Sequence, residues 1–119
     1  MCKTLCNNYC YQLTITSRKK DKKKEKEGVV IIARQHPGET VGSYVVQGLI
    51  SFLLSDHPLA KSLREIAIFK IVPMMNPDGV IHGHYRTTLL GEDPNRQWPN
   101  LRSDMPALLN LKKMLLKFT

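Results

Sequence analysis

The chain has 119 residues, of which 42% are hydrophobic and 24% charged, and its formal net charge is +8. This length allows one small domain, and the hydrophobic fraction excludes general disorder. No apolar run reaches the roughly 18 residues of a membrane span, and the first residues lack the order of a secretory signal, so the sequence predicts a cytoplasmic protein without a membrane segment.

The three cysteines, Cys2, Cys6 and Cys10, all lie at the start of the chain. Their spacing matches neither a Cys-x-x-Cys metal motif nor a disulfide framework. An odd number of cysteines without a signal segment fits a reducing compartment, so we interpret them as free thiols. Residues 1–10 carry no clear pattern and predict a poorly determined N-terminal segment, which leaves 11–119 as the folded domain.

Half of the net charge lies in a lysine-rich loop, residues 17–27. Between Arg18 and Glu27 there are seven basic and three acidic residues, a net charge of +4. A solvated loop is the ordinary interpretation of such a run. The alternatives are a patch for an acidic partner and a nuclear-localisation signal. No aromatic residue interrupts the lysines, so a nucleic-acid partner is not expected.

Five segments predict regular structure in the first 72 residues. Residues 11–16 alternate and are rich in β-branched side chains, which favours a strand. Residues 28–33 form an apolar run that predicts a second, buried strand, and we expect these two strands to form a hairpin with the lysines at its tip. Apolar residues at helical spacing predict a helix over 40–54, and Pro58 precedes a short helix over 59–65. The nearly continuous apolar run 66–72 predicts a third strand, buried on both faces.

The rest of the chain alternates turn signals with one helix. Asn-Pro-Asp-Gly at 76–79 predicts a turn. The long stretch from there to Leu101 carries little periodicity, which is typical of a functional loop. Residues 106–118 return to helical spacing, and we expect their apolar face to be exposed in this chain. The order of strands and helices predicts an α/β fold.

A candidate metal site follows the strand 28–33. His36 and Glu39 lie in the turn that leads into the helix 40–54, at the carboxyl end of a strand, where α/β sheets bind ligands. His and carboxylate are ligands of catalytic Zn²⁺. Pro37 and Gly38 turn the backbone between them, so the two side chains can converge. The alternative is that both are ordinary loop residues.

Three motifs in order resemble a known family. They are His-Pro-Gly-Glu-Thr at 36–40, Asn-Pro-Asp-Gly-Val at 76–80 and Gly-Glu-Asp-Pro-Asn-Arg-Gln-Trp at 91–98. Their order and spacing resemble the zinc metallocarboxypeptidases, and among them the cytosolic carboxypeptidase branch that removes glutamates from tubulin. The resemblance covers about three quarters of the chain and implies part of a mixed β-sheet flanked by helices.

The resemblance implies a role for five residues. His36 and Glu39 would be two of the three protein ligands of Zn²⁺. Asn95 and Arg96 would bind the terminal carboxylate of the substrate, for which the planar fork of Arg is suited. Arg86 would polarise the scissile carbonyl and stabilise the oxyanion that forms from it. The substrates would be the C-terminal tails of peptides or proteins, with tubulin as a candidate.

The chain also departs from the family. The family's third zinc ligand, a His, and its catalytic Glu follow the helix with which this chain ends, so the C-terminal half of the domain is absent. His82 and His84 are the alternative source of a third ligand. We therefore expect a carboxypeptidase-type chain that is inactive alone. The second hypothesis is a catalytically inactive module that binds acidic C-terminal tails.

Overall fold

A three-stranded mixed sheet positions the rest of the fold. In the computed structural model, which describes residues 1–18 and 25–117, its strands are β3 (Leu13–Ile15), β4 (Glu27–Ile32) and β5 (Ala67–Val72). The central strand is β5, which runs parallel to β4 and antiparallel to β3. Helices flank this sheet, so the predicted α/β class with a mixed sheet is confirmed.

The predicted hairpin between 11–16 and 28–33 is wrong, because β5 lies between those two strands. Helices α1 (Val41–Leu54) and α2 (Pro58–Ile66) connect β4 to β5. A helical crossover of this kind places the next strand parallel to the first, and β5 takes the position beside β4.

The lysine-rich loop is described only at its ends. Residues 19–24, which were expected at the tip of the predicted hairpin, lie outside the described residues. At the end of the loop, the Nζ of Lys26 donates to the carbonyl oxygens of Ser17 at 2.8 Å and Arg64 at 2.9 Å. This lysine therefore ties the loop to the end of α2.

The first ten residues, for which the sequence predicts no defined structure, form a two-stranded ribbon. Strand β1 (Cys2–Lys3) pairs antiparallel with β2 (Tyr9–Cys10), and β1 packs against α4 (Pro106–Leu115). Strands of two residues carry no periodicity that a sequence pattern could show. The ribbon is held by tertiary contacts, which the local sequence does not encode.

The ribbon also explains why α4 differs from its prediction. The face of α4 formed by Leu108, Leu111 and Met114 is buried, in a cluster that includes Cys10 and Val72. Our expectation that this face is exposed is therefore wrong for these residues. Leu116, beyond the helix, remains 64% exposed.

A second cluster covers the opposite part of the sheet. It joins Leu53 of α1 to the sheet residues Ile15, Phe69 and Ile71, and Leu63 of α2 packs against it. Burial of these apolar side chains drives the packing of the two helices on the sheet. None of the described helices has the length and apolar character needed to cross a bilayer.

The predicted turn at 76–79 is the start of a short helix, α3 (Pro77–Ile81). Asn76 caps it, because its Oδ1 accepts from the backbone N–H of Gly79 at 2.9 Å. Gly79 is required for close approach and not for a positive φ, since a Cβ there would lie 2.5 Å from Cγ of Pro37. The long loop that follows contains two short 3₁₀ turns, Pro94–Arg96 and Trp98–Asn100.

Candidate metal and carboxylate-binding site

The loop that follows β4 is fixed by backbone hydrogen bonds and by one arginine. Ala33 donates to the carbonyl of Val72 at 2.9 Å, so the parallel pairing continues past the end of the strand. Arg34 then adopts a φ of +52°, a left-handed conformation that turns the chain. Its Nε and Nη2 donate to the carbonyl of Pro37 at 3.0 and 2.7 Å, and its Nη1 donates to Oγ of Ser43 at 2.9 Å. The guanidinium therefore fastens the loop to the first turn of α1.

The structure brings His36 and Glu39 together. Nδ1 of His36 lies 3.0 Å from Oε1 of Glu39, and the imidazole is buried while the Glu39 side chain is 60% exposed. The turn between them requires Gly38, because a Cβ there would lie 2.4 Å from a ring carbon of Tyr85. The N–H of Gly38 donates to the carbonyl of Tyr85 at 2.6 Å, so this turn packs directly on the long loop.

Asp93 connects the two loops of the site. Its Oδ1 accepts from Nε2 of His36 at 2.9 Å and from the backbone N–H of Asn95 at 2.8 Å. Its Oδ2 accepts from Nε of Arg86 at 2.8 Å. The hydrogen bond from His36, followed by the bonds from Asn95 and Arg86, lowers the pKa of Asp93 to about 2. The carboxylate is therefore ionised at neutral pH and fixes both the imidazole and the guanidinium.

The donor set fits zinc in part. Because Asp93 takes the Nε2–H of His36, the nitrogen available to a metal is Nδ1, which faces the Glu39 carboxylate. One ion at about 2.0–2.2 Å from each atom can sit between Nδ1 and Oε1, and a carboxylate behind the imidazole is the usual support of a zinc-bound His. Within residues 1–18 and 25–117, however, no group of three or more His, Cys, Asp or Glu side chains is placed to hold a metal.

The two histidines that the sequence offers as a third ligand have other neighbours. Nδ1 of His84 lies 3.0 Å from the carbonyl oxygen of Thr88. Nε2 of His82 lies 3.5 Å from Sγ of Cys6, at the N-terminal ribbon. Neither joins His36 and Glu39 in a described cluster of three ligands.

The predicted carboxylate-binding residues lie next to Asp93 and are exposed. Asn95 and Arg96 belong to the 3₁₀ turn Pro94–Arg96, which Asp93 caps through the N–H of Asn95. The guanidinium of Arg96 reaches the carbonyl of Asn95 at 3.5 Å, a long contact. Arg86 is 47% exposed at its side chain and is held by Asp93. Both arginines are thus exposed, and Arg86 is connected to His36 through Asp93.

Comparison with known proteins decides the family. The sequence model of the zinc carboxypeptidases matches residues 1–108. The chain belongs to the zinc carboxypeptidase family. It is 47% identical over 118 residues to cytosolic carboxypeptidase 2 of Danio rerio, and 45% identical over 123 residues to cytosolic carboxypeptidase 1 of Homo sapiens. Each alignment covers 97% of this chain but only 16% and 10% of those proteins.

A solved metallo-carboxypeptidase shows the same fold. The metallo-carboxypeptidase of Burkholderia cenocepacia superposes with a TM-score of 0.90 at 33% identity, over 98% of this chain and 32% of that protein. The resemblance to cytosolic carboxypeptidases and the partial fold that it implies are therefore confirmed. The roles of His36, Glu39, Arg86, Asn95 and Arg96 stay predictions.

Two residues of the site were not singled out from the sequence. Asp93 precedes a Pro and caps a turn, a pattern that the sequence shows, but its contact with His36 joins residues 57 positions apart. Arg34 lies immediately after the apolar run 28–33, and the sequence shows no pattern that predicts its positive φ or its hydrogen bond to Pro37.

Proposed function

We propose that this chain forms part of the active site of a zinc carboxypeptidase that removes residues from the C-terminal tails of peptides or proteins. The observation that supports this most directly is the placement of His36 between two carboxylates, Glu39 at 3.0 Å and Asp93 at 2.9 Å. Asp93 would orient the imidazole, and Glu39 faces Nδ1 of His36, where a metal would bind.

His36 and Glu39 would hold Zn²⁺, which when bound supplies a Lewis acid and lowers the pKa of a water molecule. Arg86, fixed by Asp93, would direct its positive charge at the carbonyl of the scissile bond and stabilise the oxyanion. Asn95 and Arg96 would bind the terminal carboxylate through charge-assisted hydrogen bonds. The proposal is supported by the contacts of Asp93, which joins the His36 ring, Nε of Arg86 and the backbone N–H of Asn95.

The proposed substrates are glutamate-rich tails, such as those of tubulin, in the cytoplasm. The chain carries a formal net charge of +8, half of it between Arg18 and Glu27. A positive surface attracts acidic tails over the roughly 8–10 Å at which salt screens charge. The cytosolic carboxypeptidases that the chain resembles support the cytoplasmic location.

The two proposed ligands, His36 and Glu39, would not complete a catalytic zinc site by themselves, because such a site uses three protein ligands and a water. We propose that a His and a catalytic Glu outside these 119 residues complete it. The much greater length of the relatives supports this, as does the outer edge of β4, on which no described strand is paired. Without the base, proton transfer from the water would be slower by roughly 10²–10⁴-fold.

The second candidate is a binding module for acidic C-terminal tails. Arg96 is exposed, and pairing between a guanidinium and a carboxylate does not require zinc. Both candidates therefore predict weak, salt-sensitive binding of glutamate-rich peptides by the chain, and only the first predicts cleavage once the site is completed.

The test measures binding and cleavage of a glutamate-rich peptide by the purified chain. We expect no cleavage with Zn²⁺ present, and binding that weakens as salt is raised. Arg96→Ala should weaken binding more than Lys113→Ala, which removes one exposed positive charge from α4. A peptide with an amidated C terminus should bind more weakly than the free acid if Arg96 holds the terminal carboxylate.

Cleavage by a longer chain distinguishes the enzyme from the binding module. A longer chain that carries the family's later segments should release C-terminal glutamate with Zn²⁺, and His36→Ala should abolish the release. A longer chain that binds the tails but never cleaves them would support the binding module. Zinc-dependent cleavage by the 119-residue chain itself would show that its own residues, His82 or His84 among them, complete the site.

A further inference from the structure

Two of the three cysteines face each other across the N-terminal ribbon. Strands β1 and β2 pair so that Cys2 lies directly opposite Cys10. Opposed residues of antiparallel strands have Cα atoms about 4.5–5.5 Å apart. A disulfide spans about 4.4–6.8 Å between Cα atoms, so the ribbon places the pair within reach of a bond. Both are free thiols in the structure.

The two thiols differ in their access to solvent. Cys10 is 1% exposed, and its Sγ lies 3.4 Å from the carbonyl oxygen of Met74. Cys2 is partly exposed. Burial raises the pKa of both thiols, and the nearby Cys2 contributes to the rise of the pKa of Cys10 to about 12. A dissolved reagent therefore meets Cys2 first, and the two sulfurs are close enough to influence each other.

We propose that Cys2 and Cys10 form a redox modification site, which a small dissolved disulfide such as oxidised glutathione converts into an intrachain disulfide. The Cys2 thiolate attacks one sulfur of oxidised glutathione, whose S–S bond breaks and releases one glutathione, which takes up a proton. The Cys10 sulfur, after losing its proton, then attacks the Cys2 sulfur and releases the second glutathione. The two cysteines lose two electrons and two protons, which end on the two glutathione molecules.

The bond would close a loop that holds the ribbon to the core. Three donors lie between the two cysteines and bind Asp78 of α3: Oγ1 of Thr4 at 2.6 Å, Nδ2 of Asn8 at 2.9 Å and the N–H of Cys6 at 3.2 Å. A disulfide restricts the unfolded chain across this loop, so oxidation should raise the thermal stability of the protein.

The third cysteine, Cys6, should react differently from Cys2 and Cys10. It is exposed, and its Sγ lies 3.5 Å from Nε2 of His82. Neither of the other two cysteines is its partner in the ribbon register. We therefore expect Cys6 to keep one glutathione as a mixed disulfide under the conditions that join Cys2 to Cys10.

The test treats the folded Cys6→Ser chain with oxidised glutathione and reads its mass. We expect the loss of two hydrogen atoms, no added glutathione, and a monomer. Trypsin cleavage after Lys3 separates Cys2 from Cys10, so the two tryptic peptides should remain joined until a reductant is added. The oxidised variant should melt at a higher temperature than the reduced one, and the wild-type chain should carry one additional glutathione on Cys6.

A double variant serves as the matched control. With Cys6→Ser and Cys10→Ser together, the reaction should stop at a glutathione on Cys2, because the second attacking sulfur is gone. The proposal is overturned if the Cys6→Ser chain keeps glutathione on Cys2 while Cys10 stays free, or if its cysteines bridge two chains. The peptide map of Cys6→Ser decides the matter even if the double variant does not fold.

Discussion

Asp93 accepts a hydrogen bond from Nε2 of His36 at 2.9 Å, and this contact directs the opposite ring nitrogen toward Glu39. A carboxylate behind a ligating imidazole fixes its tautomer and increases its basicity, and its loss costs about 10–100-fold in metal affinity. We therefore predict that Asp93→Ala weakens Zn²⁺ binding to the chain by about 10–100-fold, measured by titration with a competing chelator. Asp56→Ala is the control, since the Asp56 side chain is fully exposed and is paired with Lys61.

The order in which the histidines respond to Zn²⁺ tests the site itself. We predict that the ring signals of His36 shift or broaden in an NMR titration before those of His57, which caps α2. Glu39→Gln should raise the zinc concentration that is needed, because it replaces a charged ligand by a neutral amide. A first response at His82 or His84 would contradict the assignment of His36 and Glu39 as the metal-binding pair.

Glycine-to-alanine substitutions at two positions should have opposite effects on the free energy of unfolding. At Gly79, a new Cβ would lie 2.5 Å from Cγ of Pro37 and 2.8 Å from Nδ2 of Asn76, so Gly79→Ala should destabilise the protein by about 1–3 kcal/mol. At Gly48, inside α1, a Cβ meets nothing within 4 Å, and Gly48→Ala should stabilise by about 0.5–1 kcal/mol. Denaturant unfolding measures both. Equal effects of the two substitutions would show that contact between a Cβ at position 79 and Pro37 does not reduce the stability of the protein.

Two substitutions separate the energetic cost of the left-handed conformation of Arg34 from the contribution of its hydrogen bonds. Arg34→Ala and Arg34→Gly both remove the bonds to Pro37 and Ser43, but only Ala must still adopt a φ of +52° with a Cβ. The left-handed region costs a non-glycine residue about 1–2 kcal/mol. We predict that the Gly variant is more stable than the Ala variant by about 1 kcal/mol in denaturant unfolding. If the Ala variant is equally stable, the loop has relaxed to another conformation.

The anchoring of the ribbon should depend on pH through Asp78. Burial by itself raises the pKa of this carboxyl, but hydrogen bonds from Thr4, Asn8 and the N–H of Cys6 outweigh it and hold the pKa below the ordinary 3.8. Because the folded-state pKa is lowered, the stabilisation is complete above the unfolded value and is lost as the pH falls through the folded value. Asp78→Ala should therefore cost on the order of 2 kcal/mol at neutral pH, with the difference from wild type shrinking below about pH 4.

The measurement is denaturant unfolding of the Asp78→Ala and wild-type chains across this acidic range. Asp56→Ala provides the comparison, because the Asp56 side chain is fully exposed and is paired with Lys61 of the adjacent helix α2. A difference between wild type and Asp78→Ala that stays constant down to the most acidic pH would contradict the role of the ionised carboxylate.

The sequence by itself determined the family, the strands at 28–33 and 66–72, the helices between them, and the placement of His36 and Glu39 in one turn. These features are local: apolar periodicity defines the elements, and a turn through Pro and Gly lets a His and a carboxylate three residues apart converge. Only the tertiary structure decided that β5 separates β3 from β4, that the ribbon 1–10 covers α4, that Cys2 faces Cys10, and that Asp93 holds His36. Each of these depends on contacts between segments distant in the chain, whose energies come from burial and hydrogen bonding across the fold and leave no pattern in the local sequence.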